Sequence, residues 1–423
     1  MLALAAVAAP PRAASAEVVR DLQQCIAFAL EHHPSLQAAY ATVTAGTQQV
    51  WQAASNYLPQ VSANYNTNRR KTSPTASTGA EIATGARTFN FYTGGFNLTQ
   101  VLFDFGQNLN QIRSAMATEE SLIADGVTQR EIVVFNVKQA YFNTLAAARL
   151  LQVANETVRQ NQQHVEQARG RFDVGFAPKF DVTQAQVQLA QAQLNQVAGR
   201  SNVKIARATL GNALGLGHPP DFELVDTFDT PPVHITESEA LTRAYDRRPE
   251  LLSLLAQQRS LDAQIAALQK DYLPSVVGSA TYYWAGTDYP LEDNWNVGAG
   301  VSVPIFNGGL TTAQIGAARA NLANLQFNTE LQRQSIALQV QQALYDLREA
   351  AESIVVAEKA LQQARENLAL ADGRYATGAG HIIEVTDAQT SLTSSEASLV
   401  QSLYNYKIAV ASLERAMAQS IEQ

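Results

Sequence analysis

The chain has 423 residues, a formal net charge of −8 and a sequence pI near 5.4, so it offers no basic face to nucleic acid. Its one cysteine, Cys25, excludes an intrachain disulfide and a cysteine cluster for metal. Only 16% of residues are charged while Ala, Gln and Asn abound, which suits neither a Glu/Lys-rich rod nor an ordinary cytosolic enzyme.

The N-terminus reads as an export segment. Residues 2–9 form a short apolar run, and Ala14, Ser15 and Ala16 have the A-x-A form of a cleavage site. Residues 1–16 are therefore expected to be a signal peptide, truncated at its start because no Lys or Arg precedes the run. Gln23 and Gln24 stand where a lipidation site needs small residues, so Cys25 is expected to be a packed helical thiol. No later stretch reaches the roughly eighteen consecutive apolar residues of a membrane helix, so any crossing must use strands.

Beyond the export segment, helix dominates. Proline is absent from 75–177, 179–218 and 305–423, and a chain without proline can sustain very long helices. Helices are expected at 107–173, 181–214, 309–376 and 383–419. A helix of about 67 residues runs roughly 100 Å, which demands a supercoiled or bundled setting. Gly175 and Gly378 stand where the long helices end, and glycine suits the left-handed position just past a helix.

Two segments, 60–103 and 275–305, change period. Trp295, Val297, Val301 and Val303 alternate with small or polar residues, and Val276, Gly278, Ala280, Tyr282 and Trp284 share the even positions of the preceding segment. Period two means strands, expected at about nine to eleven residues, the length of a tilted strand crossing a bilayer core. Trp284 and Trp295 bracket the loop 285–294, and Phe103 and Phe306 close the two hairpins, as aromatics do at a membrane interface. The other loop is expected over about 69–88.

The chain also repeats itself. R-F-D-V-G-F-A-P-K-F-D-V-T-Q-A-Q from Arg171 returns as R-Y-A-T-G-A-G-H-I-I-E-V-T-D-A-Q from Arg374, an offset of 374 − 171 = 203 residues without a gap. L-F-D-F-G at 102–106 and I-F-N-G-G at 305–309 keep that offset, whereas N-Y-L-P at 56–59 and D-Y-L-P at 271–274 differ by 215. The second copy therefore lacks 215 − 203 = 12 residues within its hairpin. The expected division is repeat 1 at 17–214, a linker at 215–248 and repeat 2 at 249–423, each repeat being helix, β-hairpin, long helix, turn and helix. Four strands cannot close a barrel, and an open edge in lipid leaves unpaired backbone groups at several kcal/mol each. Several chains must then join their sheets.

Taken together, Y-L-P before each hairpin, R-F-D-V-G and R-Y-A-T-G at the turns, and E-V-T-D-A-Q after the second turn closely resemble the TolC family of outer-membrane efflux channels. The resemblance covers essentially the whole mature chain. It implies a mainly α fold with membrane β. In a homotrimer, a twelve-stranded β-barrel in outer-membrane lipid continues as a long α-helical barrel, with most of the mass in the periplasm and residues 215–248 at the equator. It further implies a passive exit duct, not an enzyme, in a tripartite efflux or type I secretion system. The partners would be a periplasmic adaptor and an inner-membrane transporter of the RND, ABC or MFS type.

By that resemblance, Glu384 and Asp387 match acidic positions ringing the periplasmic constriction, Asp181 matches an acid of the network holding it shut, and Tyr375 matches a tyrosine linking the helix pairs. Rings of carboxylates would bind cations and favour partial protonation. Asp181 and Glu384 are equivalent in the repeat, and either can simply complement a helix dipole. The tips Val174, Gly175 and Phe176, with Thr377, Gly378 and Ala379, match where adaptor hairpins dock. Family members often carry an arginine in the second turn; Gly380 stands there in this chain. No G-x-S-x-G, P-loop or H-E-x-x-H motif occurs, so no catalytic residue, cofactor or metal ligand is expected. The competing reading is a structural periplasmic coiled-coil adaptor or spacer, which leaves the two hairpins unexplained.

Overall fold

The structure is a computed structural model that describes residues 19–72, 77–78, 81–82, 87–226, 233 and 235–419. The proposed signal peptide lies outside them. In chain order the elements are β1 (Val19–Arg20), α1 (Leu22–His32), α2 (Pro34–Ser55), β2 (Gln60–Thr72), β3 (Ser77–Thr78), β4 (Glu81–Ile82) and β5 (Arg87–Phe103). There follow α3 (Gln107–Asp173), α4 (Lys179–Ala213), β6 (Glu223–Leu224), α5 (Glu237–Arg247), α6 (Pro249–Lys270), β7 (Ser275–Gly286), β8 (Glu292–Ser302), α7 (Leu310–Thr377) and α8 (Ile382–Met417). Each helix before a hairpin is broken at a proline, Pro34 and Pro249, because the residue before proline is pushed out of the helical region. His33 and Arg248 accordingly adopt extended backbone. No helix among the described residues is long and apolar enough to cross a membrane.

The chain divides into two compact units. One gathers Met1–Ala39, Gly126–Pro249 and Arg333–Gln423; the other gathers Tyr40–Asp125 and Glu250–Gln332. The core of the first is a cluster of Cys25, Ala29, Leu36, Val137, Tyr141, Leu210, Leu214 and Tyr404. Burial pushes the Cys25 thiol up to about 11, which makes it a packing residue and a poor nucleophile. The linker is tied to this core through Asp226. Its Oδ2 accepts from Arg149 Nε at 2.9 Å and from the Tyr404 hydroxyl at 2.8 Å, while the Tyr141 hydroxyl donates to the Val225 carbonyl at 2.5 Å. Arg20 lies over the rings of Phe28 and Phe222, 5.0 Å from each centroid. The parallel pair β1–β6 is thereby held at both ends.

In the second unit α3 and α6 meet through hydroxyls. Ser260 Oγ lies 2.9 Å from both Ser114 Oγ and Thr118 Oγ1, Ser121 and Ser253 are 3.0 Å apart, and Gln257 donates to Ser121. Small side chains let the backbones approach, and each buried hydroxyl keeps a partner. The sheet of this unit has the order β2-β5-β7-β8, antiparallel throughout.

Three strands are longer than expected from bilayer thickness, with 13, 17 and 12 residues for β2, β5 and β7, while β8 has the expected 11. The loop expected from residue 69 is strand instead, with Arg69, Arg70 and Lys71 opposite Asn90, Phe89 and Thr88. Hydrophobic alternation marks only the part of a ribbon that meets an apolar medium, whereas backbone pairing continues in water. The second hairpin ends earlier than expected, at Ser302, because Pro304 has no N–H for the ladder and Phe306 lies beyond it. A register shift between Val101 and Phe103 brings Phe103 opposite Val276.

Candidate functional site

Both long helices end in the same way, for the same reason. Past α3, Gly175 has φ 78°, its N–H donates to Phe172 and that of Phe176 donates to Arg171. Past α7, Gly378 has φ 79°, with the matching bonds from Gly378 to Tyr375 and from Ala379 to Arg374. These paired bonds satisfy the last carbonyls and need a left-handed residue that only glycine adopts cheaply. The tips differ in chemistry. Phe176 is 84% exposed beside an exposed Val174, whereas Thr377, Gly378 and Ala379 present small groups.

The structure brings Tyr375 and Asp181 together. The Tyr375 ring is buried among Ala371, Ile382, Val385 and Ala388, and its hydroxyl donates to Asp181 Oδ2 at 3.3 Å. Burial, and then the Asp181 charge, hold the phenol above its ordinary range, so it stays a donor. Arg171 completes the link. Its guanidinium lies 4.6 Å from the centroid of the Tyr375 ring and donates to the carbonyls of Tyr375 and Ala376, at 3.0 Å for the latter.

Glu384 and Asp387 do not share this network. Glu384 accepts from Arg374 Nε at 3.1 Å, and its other oxygen accepts from the His381 N–H at 3.4 Å, so it caps α8. Asp387, one turn on, is exposed. Arg171 and Arg374 occupy matched places, yet the first reaches across to the other turn and the second stays on its own. The difference follows from their neighbours: Glu384 lies within reach of Arg374, whereas the shorter Asp181 is taken by Tyr375.

Gly380 is required by space. A Cβ there would lie 2.9 Å from Arg374 Cβ and 3.2 Å from the Tyr375 nitrogen, so this turn has no room for a side chain. Sequence reasoning missed Arg171 and Arg374 as site residues, although both head the repeated motif. It also missed Asp372, one turn before Tyr375. Burial holds that carboxyl above the usual range, the nearby His164 pulls it partly back, and Asp372 Oδ1 is buried without a hydrogen-bond partner.

Of the aromatic residues singled out in the hairpins, Trp284, Trp295 and, past the register shift, Phe103 fall on one face of the sheet, whereas Phe306 lies outside it. Register places Ala63, Phe96, Tyr282 and Trp295 in one row, and Tyr65, Gly94, Trp284 and Asp293 in the next. Below them run Val61, Leu98, Ala280 and Val297. The opposite face carries Ser62, Asn64, Asn66, Asn97, Thr281, Asn294 and Asn296. Trp295 is 72% exposed, and Val61, Tyr65, Val297 and Val301 also stand in the open. Among the described residues no group of His, Cys, Asp and Glu is arranged to hold a metal.

The sequence model of the family described as outer membrane efflux protein matches residues 26–216 and 240–419. The chain belongs to that family. It is similar to outer membrane protein TolC of Escherichia coli K12, at 27% identity over 95% of this chain and 83% of the relative. It is likewise similar to outer membrane efflux protein BepC of Brucella suis biovar 1, at 25% identity over 93% of this chain and 84% of the relative. Among solved structures, the CmeC outer membrane channel of Campylobacter jejuni superposes with a TM-score of 0.84 at 18% identity, covering 95% of this chain and 87% of that one. A membrane protein from Pseudomonas aeruginosa gives the same TM-score at 21% identity, covering 94% and 90% of the two chains. The mainly helical fold of the family's channels is therefore that of this efflux protein.

Proposed function

We propose that the protein is a passive outer-membrane exit duct, a homotrimer whose three four-stranded sheets join into one twelve-stranded barrel continued by a helical barrel in the periplasm. The observation that carries this is the sheet itself. One face carries the aromatic and aliphatic rows and the other most of the Ser, Asn and Thr residues, and each edge strand, β2 and β8, has a neighbour on one side only among the described residues. Such a sheet is unstable in water through its apolar face and in lipid through its edges, and only joining further copies satisfies both. Exposed apolar residues on α4 (Val187, Leu194, Ile205) and α7 (Leu338, Tyr345, Val356) recur at helical spacing and favour sideways packing against further helices. The number three comes from the family resemblance.

In this reading each chain is two repeats, 17–214 and 249–423, joined by 215–248 and preceded by a signal peptide at 1–16. The turns form the periplasmic gate. Arg171, Tyr375 and Asp181 hold the two hairpins of one chain together, and Asp387, stacked with Glu384, supplies the acidic ring. The tips at 174–176 and 377–379 receive a periplasmic adaptor, which joins the duct to an inner-membrane transporter. The duct does no chemistry of its own. The spacer reading is disfavoured by the family match over both halves.

The experiment is conductance of the purified protein in planar bilayers, paired with its mass in detergent. A trimer forming pores blocked by divalent cations is expected. Glu384→Ala with Asp387→Ala should weaken the block several-fold. A water-soluble monomer without conductance would overturn the duct, and unchanged block in the double variant would overturn the acidic ring alone.

A further inference from the structure

The apolar face of the sheet does not end at its aromatic row. Beyond Tyr65 on β2, the residues on that face are Thr67, Arg69 and Lys71, paired with Tyr92, Asn90 and Thr88. At about 3.4 Å per residue, Arg69 and Lys71 stand roughly 14 and 20 Å past Tyr65 along the strand. Both are exposed, and neither has a hydrogen bond or ion pair among the described residues. Arg70, between them, points to the other face, where its guanidinium lies 5.3 Å from the centroid of the Phe91 ring.

Below the two cations the same face is hollow. The Tyr65 ring lies over Gly94, where an added Cβ would stand 2.9 Å from its Cδ2, and beside that ring Ala63, Phe96, Trp284, Tyr289 and Leu291 line an open depression of about 600 Å³. The rim is braced: the Tyr65 and Tyr289 hydroxyls are 2.7 Å apart, and the Tyr92 and Tyr289 rings are 5.3 Å apart between centroids. An apolar hollow with aromatic walls and two exposed cations above it matches a lipid, chain below and head group above.

We propose that this face binds a phosphate-bearing lipid of the outer leaflet, its acyl chain in the hollow beside the Tyr65 ring and its phosphate on Arg69 and Lys71. The proposal rests on the reading of the sheet as a membrane wall. A lone surface cation near a membrane attracts any anionic head group; the hollow makes this a site for one lipid. Asp293 ends the aromatic row on β8, and the Tyr282 hydroxyl donates to its Oδ2 at 3.4 Å. A seam between Asp293 of one copy and the β2 cations of the next is the competing use of Arg69 and Lys71.

The test is native mass spectrometry of the detergent-solubilised oligomer titrated with lipid A and with dephosphorylated lipid A. Lipid A should bind wild type, and the double variant R69Q/K71Q should bind it roughly thirtyfold more weakly, from two cations near a lipid surface. Dephosphorylated lipid should bind both proteins equally, and excess inorganic phosphate should compete poorly with the intact lipid. Gly94→Leu, which displaces the Tyr65 ring from over Gly94 into the hollow, should weaken both lipids while leaving both cations in place. Equal binding of lipid A by wild type and R69Q/K71Q would overturn the proposal. Full competition by inorganic phosphate would make the pair an ion site, and loss of the oligomer by R69Q/K71Q in every lipid would make it a seam; either result overturns it. A wild-type protein that fails to enter vesicles of any composition would instead refute the membrane reading beneath it.

Discussion

At the scale of single residues, the turns show how one motif used twice acquires two jobs. Phe172 and Tyr375 are equivalent, and only the second carries the hydroxyl that reaches Asp181. Tyr375→Phe should cost at most about 1 kcal/mol, the net worth of one hydrogen bond. Arg171→Ala should cost more, because two carbonyl bonds and the ring contact go together. Urea unfolding of the two variants checks that order, and equal losses would show that the guanidinium contributes little. Asp372 makes a prediction with a sign. Its folded-state value is raised by burial, so its contribution is favourable below the ordinary carboxylate range and is lost as pH rises through the raised value. Asp372→Asn should therefore stabilise the protein near neutral pH and give no gain below about pH 4. Urea midpoints at the two pH values decide it, and a gain at both would mean that the carboxyl is not buried as described.

At the scale of elements, residues 215–226 at the start of the linker show how a segment with only two strand residues is fixed. Two residues of strand pairing, β1 with β6, could not hold it. The Asp226 carboxylate does so by gathering Arg149 from α3 and Tyr404 from α8. Burial first, and then Asp226, hold the Tyr404 phenol above its usual range, so it remains a donor at any physiological pH. Asp226→Ala leaves that hydroxyl buried without an acceptor and should cost roughly 1–3 kcal/mol. Asp226→Asn keeps an acceptor and should cost less. Thermal unfolding measures both, and hydrogen exchange at residues 222–226 should rise in the Ala variant first.

At the scale of the whole molecule, the sheet makes the clearest demand. Val297 lies on the apolar face and Asn296 on the polar face of the same strand. Val297→Arg should cost about 2–4 kcal/mol if that face meets the bilayer near its middle, while Asn296→Arg should change insertion little. Yield of assembled, heat-modifiable oligomer from vesicles compares the two, and equal loss would mean that the two faces are not lipid and water. The long helices place the same demand on assembly, because Val187, Leu194, Ile205, Leu338 and Val356 stay exposed among the described residues.

The amino-acid order by itself determined what local physics controls. Absence of proline licensed the long helices, Gly175 and Gly378 marked their ends, and period-two alternation found the strands. Helix bounds read from it lie within a few residues of those observed, since caps and breakers are local signals. It also exposed the repeat and, through that, the family. Pairings set across hundreds of residues were decided only by the tertiary structure. Arg171 and Arg374 look alike in sequence, and only their neighbours in space send one across to Tyr375 and the other back to Glu384. Gly380 read as a missing arginine, whereas the turn leaves no room for one. The length of the first hairpin was likewise decided by the ladder, because hydrogen bonds between strands hold where the hydrophobic pattern has already faded.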